Sequence, residues 1–186
     1  MRAVQHLIIP KERVGVVIGK NGKTKAEIEE KTDTRIILNT ETGEVTIELK
    51  EDNEDPFMIW KARDIIYAIG RGFSPERAKR LLDTECILEV IDITQFSGRS
   101  QSGMKRLKGR VIGKEGKARK TIEEYTGVDI SVYGKTISLI GYPHQVSVAR
   151  RAVLMLLEGA PHQTVYRFLE SKRKEIKVEE MYLWER

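Results

Sequence analysis

Hydrophobic and polar positions along this chain run through one pattern of elements and then begin it again. Ala3 to Ile9 reads as a β-strand stopped by Pro10. Lys11 to Val17 leaves room for one or two helical turns, and Lys23 to Thr32 has helix-forming composition around Ile28. Thr34 to Leu38 and Glu44 to Leu49 are rich in β-branched residues, with Asn39-Thr40-Glu41-Thr42-Gly43 as the turn between them. Asp55-Pro56 opens a helix with an acidic cap and a proline in its first turn. Ile59, Ala62, Ile65, Ile66 and Ile69 then fall at helical spacing, up to about Gly70-Arg71-Gly72. Ser74-Pro75-Glu76 starts a short helix to Leu82, an ordered linker in this reading.

The second pass starts with the strand Cys86 to Ile93. Ser97 to Gly103 favours neither helix nor strand and reads as a mobile loop. Lys117 to Thr126 is helical, and Asp129 to Val132 pairs with Thr136 to Ile140 across Tyr133-Gly134-Lys135. Pro143 begins the closing helix through Val146, Ala149, Val153 and Leu156-Leu157. A tail follows Gly159-Ala160-Pro161, with a helix carrying Val165 and Phe168-Leu169, the basic run Lys172-Arg173-Lys174, and a terminal Tyr182-Leu183-Trp184.

The repeat is sharpest at two glycine loops. Val17-Ile18-Gly19-Lys20-Asn21-Gly22-Lys23 returns as Val111-Ile112-Gly113-Lys114-Glu115-Gly116-Lys117, and Ile28-Glu29-Glu30 as Ile122-Glu123-Glu124. The offset is 113 − 19 = 94 at the loops and 143 − 56 = 87 at the prolines of the closing helices. That drop assigns the length difference to the hairpin turns, where changes are cheap. The expected domains are 1–73, a linker 74–84, 85–159, and a tail 160–186. The fold class is α+β: two β-α-α-β-β-α units, each a three-stranded antiparallel sheet against three helices, plus a C-terminal helical tail.

Charge then says what the loops face. The 186 residues carry 33 Lys and Arg against 28 Asp and Glu, a net charge of +5 that favours an anionic partner. One cysteine, Cys86, excludes an internal disulfide framework and a cysteine-cluster metal site. No apolar run is long enough for a membrane helix, so a cytoplasmic protein is expected. His6, His144 and His162 have no metal-ligand spacing, and no cofactor is expected.

Glycines followed by lysines beside a helix start suit a phosphate ligand, because backbone amides converge there. A nucleotide-binding P-loop is excluded: the glycine it requires five positions before Gly22 and Gly116 is Val17 and Val111 instead, and Ala118 stands where one hydroxyl should be. Paired carboxylates at Glu29-Glu30 and Glu123-Glu124 point in different directions on a helix, which favours a solvated face over acid–base work. The loop amides with Lys20, Lys23, Lys114 and Lys117 are expected to hold phosphates. Val17, Ile18, Ile28 and Ile37, and in the second copy Val111, Ile112, Ile122 and Ser131, are candidates for a floor under the bases. Arg35 and Asp129, on the middle strand of each copy, are the candidates for base selection. Glu115 is expected to turn away from phosphate. Arg110, Arg119 and Lys120 give the second copy the larger basic excess, so it is expected to bind the more strongly.

This element order with Ile-Gly-x-x-Gly resembles the type I KH domain, whose loop clamps four nucleotides of an unpaired strand. Gly113-Lys114-Glu115-Gly116-Lys117, Thr121-Ile122-Glu123, and Gly159-Ala160-Pro161 before Val165-Tyr166 are similar to the tandem-KH small-subunit ribosome-assembly factors of archaea and eukaryotes. Eukaryotic members have a degenerate first loop, so the intact Gly19 to Gly22 resembles the archaeal members. The resemblance implies a non-catalytic monomer that binds single-stranded pre-rRNA near the 3′ end of the small-subunit RNA. It also implies, as partners, the endonuclease that matures that end or other assembly and translation factors. The alternatives are a general RNA chaperone or turnover adaptor, and a protein-interaction scaffold whose KH folds are structural.

Overall fold

The computed structural model describes residues 3–52 and 55–185 and divides the chain into two compact units, Met1–Thr84 and Glu85–Arg186. The first comprises β1 (Val4–Ile8), α1 (Lys11–Ile18), α2 (Lys23–Thr32), β2 (Thr34–Leu38), β3 (Glu44–Leu49), α3 (Phe57–Gly70) and α4 (Pro75–Ala78). The second comprises β4 (Ile87–Asp92), α5 (Thr94–Ser97), α6 (Gln101–Ile112), α7 (Lys117–Thr126), β5 (Asp129–Tyr133), β6 (Thr136–Gly141), α8 (Pro143–Leu157) and α9 (His162–Trp184).

Each unit has a three-stranded antiparallel sheet, in the order β1-β3-β2 and β4-β6-β5. In β3 the alternation is plain: Val45 and Ile47 are buried between the less buried Glu44, Thr46 and Glu48. Ile47 pairs with Ile36, and Leu139 with Ile130, so each sheet lays an aliphatic row against its helices. α3 closes the first core with the expected stripe, since Ile59, Ala62, Ile65, Ile66 and Ile69 are all buried. The Asp55 carboxylate accepts the Phe57 amide at its start.

Three features of the connections differ from the sequence expectation. First, only Gly98 to Ser100 of the expected Ser97–Gly103 loop lie outside helices: α5 takes its first residue, and α6 begins at Gln101 with Ser100 capping the Gly103 amide at 3.2 Å. A serine N-cap outweighs the poor helix propensity of Ser102 and Gly103. Second, the hairpins hold little of the length difference. Ile36 and Ile130 stand 130 − 36 = 94 apart, and their partners Ile47 and Leu139 stand 139 − 47 = 92 apart. The remaining drop to 87 lies between the last strand and the closing helix, from Leu49 to Phe57 in one unit and from Gly141 to Pro143 in the other. Third, β2 and β5, the middle strands in chain order, are edge strands of their sheets.

The segment after α3 folds back on the first unit. Ala78 and Leu81 are buried, and the Lys61 ammonium donates to the Asp83 carbonyl at 3.1 Å. Lys79 forms an ion pair with Glu27 of α2, and that hydrogen bond holds the Glu27 carboxyl below its ordinary range. The tail is one 23-residue helix, α9, lying against α7 and α8. Val165 and Leu169 enter the second core, the Gln145 amide donates to Glu180 at 2.8 Å, and Arg173 lies 5.4 Å from the Tyr125 ring centre. Leu169→Ala is expected to destabilise the second unit by about 2–5 kcal/mol, measured as a shifted denaturant midpoint; a change near zero would show that α9 packs only loosely.

Candidate nucleic-acid interface

The two glycine loops share one backbone conformation. Gly19 has φ 73° and ψ 178°, and Gly113 has φ 74° and ψ 174°. Asn21 (53°, 30°) and Glu115 (56°, 27°) are left-handed, as are Gly22 (73°, 11°) and Gly116 (74°, 12°). The first position falls in a region open essentially to glycine alone. Space excludes a side chain there as well: a Cβ on Gly19 would meet Thr24 Oγ1 at 2.2 Å, and one on Gly113 would meet Ala118 Cβ at 2.7 Å. The second glycine is different. Beyond its chain neighbours, a Cβ on Gly22 would meet nothing within 4 Å, and one on Gly116 only Lys120 Cε at 3.8 Å. One glycine makes the turn, and the other borders open space where a ligand can approach the backbone.

The helices that leave these loops start without a cap. Neither Gly22 nor Gly116 offers a side chain to the first amides of α2 or α7. The Lys23 and Lys117 amides donate to the Lys20 and Lys114 carbonyls of the loop; the amides that follow them lack partners in their own helix and lie at the positive end of its dipole. An anion in the open space is the natural acceptor. Lys20, Lys23, Lys114 and Lys117 are exposed around it. In the first copy Lys23 is 3.9 Å from Glu27, whereas among the described residues no carboxylate is within ion-pair distance of Lys114, Lys117, Arg119 or Lys120. Lys120 is exposed; Arg119 is half-buried, with its Nε covered and unpartnered.

The aliphatic candidates divide sharply. Val17 and Val111 are fully buried, as are Ile28 and Ile122, so these four are core and not floor. Ile18 and Ile112, half-buried beside the glycines, remain accessible. Ile37 is 47% exposed on β2, while Ser131, its counterpart, is only 8% exposed. Arg35 is exposed and lines an open groove between α2 and β2 with Ala26, Glu29, Glu30, Thr34 and Lys50. Asp129 is half-buried and already engaged. The edge-strand surface is therefore more open in the first copy.

Arg110, expected as an RNA ligand, is half-buried and engaged within the fold. Its guanidinium donates to the Leu156 carbonyl at 2.9 Å and to the Ala160 carbonyl at 2.5 Å, closing the end of α8. The His162 ring donates to the Arg110 carbonyl at 2.8 Å. Arg13 does the same for α3, donating to Ile69 and Phe73 carbonyls at 2.8 Å each. These two arginines sit 97 residues apart (110 − 13), out of step with the 94-residue repeat, which hid their shared role.

The repeated glutamates are corrected too. Glu30 and Glu124 are exposed, but Glu29 accepts the Ile36 amide at 2.7 Å and Glu123 accepts the Ile130 amide at 2.9 Å. Each carboxylate thus binds the outer side of an edge strand and ties it to the helix that leaves the glycine loop. The recurrence of Ile-Glu-Glu was the signal, with the isoleucine in the core and the first glutamate on the strand.

Comparison with known proteins follows this geometry. Residues 4–68 match the KH domain, and residues 87–174 match the eukaryotic-type KH domain, KH-domain type I, a match that runs into α9. The chain is 47% identical over its whole length to the KH domain-containing protein MJ0443 of Methanocaldococcus jannaschii, covering 81% of that protein. It is 31% identical over 75% of its length to RNA-binding protein PNO1 of Oryzias latipes, covering 58% of that protein. It also resembles Dim2p in the crystal structure of an a/eIF2alpha-aDim2p-rRNA complex from Pyrococcus horikoshii, with 48% identity, a TM-score of 0.88, and coverage of 94% of this chain and 96% of that one.

Two substitution series test the geometry. Gly113→Ala is expected to cost about 1–3 kcal/mol of stability from backbone strain alone, with the clash against Ala118 in addition, and more than Gly116→Ala in the same denaturation experiment. Arg110→Ala is expected to lower stability by about 1–3 kcal/mol while RNA affinity stays within twofold; a selective loss of affinity would return Arg110 to the interface.

Proposed function

The chain belongs to the tandem-KH family that includes archaeal Dim2p and eukaryotic PNO1, and on that premise we propose that it is a non-catalytic protein gripping single-stranded rRNA during small-subunit assembly. The observation that carries this reading is the pair of matching loops, each with a glycine bordering open space and an uncapped helix start. The amides of these loops, with Lys20 and Lys23, and with Lys114 and Lys117, take the phosphates. Ile18, Ile37 and Arg35 in the first copy, and Ile112 in the second, meet the bases. The second loop binds the more strongly, because among the described residues no carboxylate, Glu115 included, lies within ion-pair distance of Lys114, Lys117 or Lys120. Among the described residues no helix is long and apolar enough to cross a membrane, and no His, Cys, Asp and Glu group could hold a metal ion.

The RNA segment we assign is the 3′ end of the small-subunit rRNA, on the strength of the family resemblance. The partner class is supported by the Pyrococcus horikoshii complex, in which Dim2p is crystallised with a/eIF2alpha and rRNA. A translation-factor subunit is therefore the partner proposed ahead of the rRNA endonuclease.

A short 3′-end oligonucleotide, in competition with random single strands, tests the assignment. For about five phosphates contacted, log affinity should fall against log salt with a slope near −3.5. Gly116→Asp should weaken binding more than Gly22→Asp does. A flat salt response would remove the clamp, equal affinity for random strands would reduce the protein to a general RNA binder, and a reversed order would reverse the ranking of the copies.

A further inference from the structure

The repeat runs further than the closing helices. Arg13 binds the carbonyls of Ile69 and Phe73, and Arg110 those of Leu156 and Ala160, acceptors that stand 156 − 69 = 87 and 160 − 73 = 87 apart. The turns between these acceptors match as well, with Gly72 at φ 97° and Gly159 at φ 100°. At the same offset α4 begins at Pro75 and α9 at His162, and buried Ala78 answers to buried Val165. α4 with the 3₁₀ turn Lys79–Leu82 is therefore the opening of an α9-like helix. It is cut off at Leu82, whereas α9 runs for 23 residues.

What the later part of α9 covers in the second unit is on the page. Ile176 is buried, and Arg173 lies over the Tyr125 ring of α7. At the start of α8, the His144 ring is 3.6 Å from Glu179 and the Gln145 amide donates to Glu180. The matching ground in the first unit is Lys31 of α2, at the 94-residue offset, and Phe57 and Met58 of α3, at the 87-residue offset. There the chain turns away after Leu82 toward β4. Lys31 is exposed, Phe57 is 46% exposed, and Trp60, one turn further along α3, is 50% exposed.

Charge narrows what could sit on this face. Glu51, Asp52 and Asp55 are exposed just before the two rings. The cations within this part of α3 are engaged: Lys61 donates to the Asp83 carbonyl and lies over the Phe57 ring, and Arg63 is paired with Asp64. Such a border repels phosphate and attracts Lys or Arg. Neighbouring exposed aromatic rings are the side chains that anchor protein partners.

We propose that Phe57, Met58 and Trp60 receive a helix of a partner protein, in the place on the first unit that α9 takes on the second. The incoming helix presents apolar residues to the rings, where α9 presents Glu179 and Glu180 to His144 and Gln145. It carries Lys or Arg at its border toward Asp52 and Asp55. Its length is set by the missing part of the repeat, Glu170 to Trp184 in α9, about 22 Å of helix. This docking face is separate from the glycine loops, and the inference does not rest on the RNA clamp.

The probes are two fluorescent, stapled peptides of about 15 residues, long enough to span that gap. One is a helix with a Leu stripe bordered by Lys, and the other has the same composition scrambled. The proteins are the full chain, Phe57→His/Trp60→Ser, which installs the second unit's residues at these positions, Glu51→Gln/Asp52→Asn, and a control, Met181→Ala/Tyr182→Ala, on the exposed end of α9. The patterned peptide should bind the full chain about tenfold more tightly than the scrambled one and lose about tenfold on the ring variant, as expected of an aromatic anchor. Glu51→Gln/Asp52→Asn should weaken it severalfold at low salt and not at about 1 M salt, where charges are screened within roughly 3 Å. The control should bind as the full chain does. In a Trp184→Phe background Trp60 is the sole indole, and its emission should shift to the blue when the patterned peptide is added. Equal binding of the two peptides, an unchanged ring variant, an unchanged acidic-border variant, an equal loss in the control, or no shift of Trp60 emission would overturn the proposal. A ring variant that stays folded but loses affinity for single-stranded RNA would overturn it too, by assigning the face to RNA.

Discussion

Three positive φ angles in four residues hold each glycine loop in shape: Gly19, Asn21 and Gly22 in one copy, Gly113, Glu115 and Gly116 in the other. Such a run turns one helix into the next within four residues, and the features near the loop follow from it. The second helix starts at the turn itself, so its first turn has no side-chain cap where the chain has left room. The valine and isoleucine before the turn are fixed in opposite roles, one in the core and one at the surface. Strain at non-glycine residues in left-handed conformations is characteristic of functional sites, and Asn21 and Glu115 carry it at equivalent positions.

A rigid frame is needed for amides to bind in a fixed geometry, and the chain supplies it with charged side chains bound within the fold. Arg13 and Arg110 close the ends of the long helices α3 and α8. Glu29 and Glu123 fasten an edge strand to the helix leaving each loop. Charged hydrogen bonds of this kind are stronger than neutral ones, which suits groups that must not move when RNA arrives. The lysines at the loop, by contrast, are exposed, as the proposed contacts to a sugar–phosphate backbone require.

Most of the architecture was legible because period and repetition reinforced one another. The α3 stripe, the strand alternation in Val45 and Ile47, and the twin loops each follow from a local rule applied twice. What was not legible depended on partners far apart in the chain. Val17 and Ile18 are alike in composition, and only the helix rotation against the core decides which is buried. Arg110 stands three residues before the glycine loop, yet its hydrogen-bond acceptors lie 46 and 50 residues ahead. Ser97 to Gly103 looked like a loop because its residues disfavour helix, while the decisive residue was the single cap at Ser100. Edge or centre could not be assigned to β2 from chain order, because the third strand in sequence inserts between the first two.

The carboxylates on the outer strands have a consequence for how two such similar halves avoid one another during folding. Tandem copies of one fold risk exchanging strands or pairing at open borders, since the same aliphatic registers recur in both. A border whose outward amide is already claimed by a glutamate from its own helix offers a newcomer one vacancy fewer, and a negative charge beside it. The same bond that ties each edge strand to its own helix thus also leaves that border less able to take up a strand from its twin.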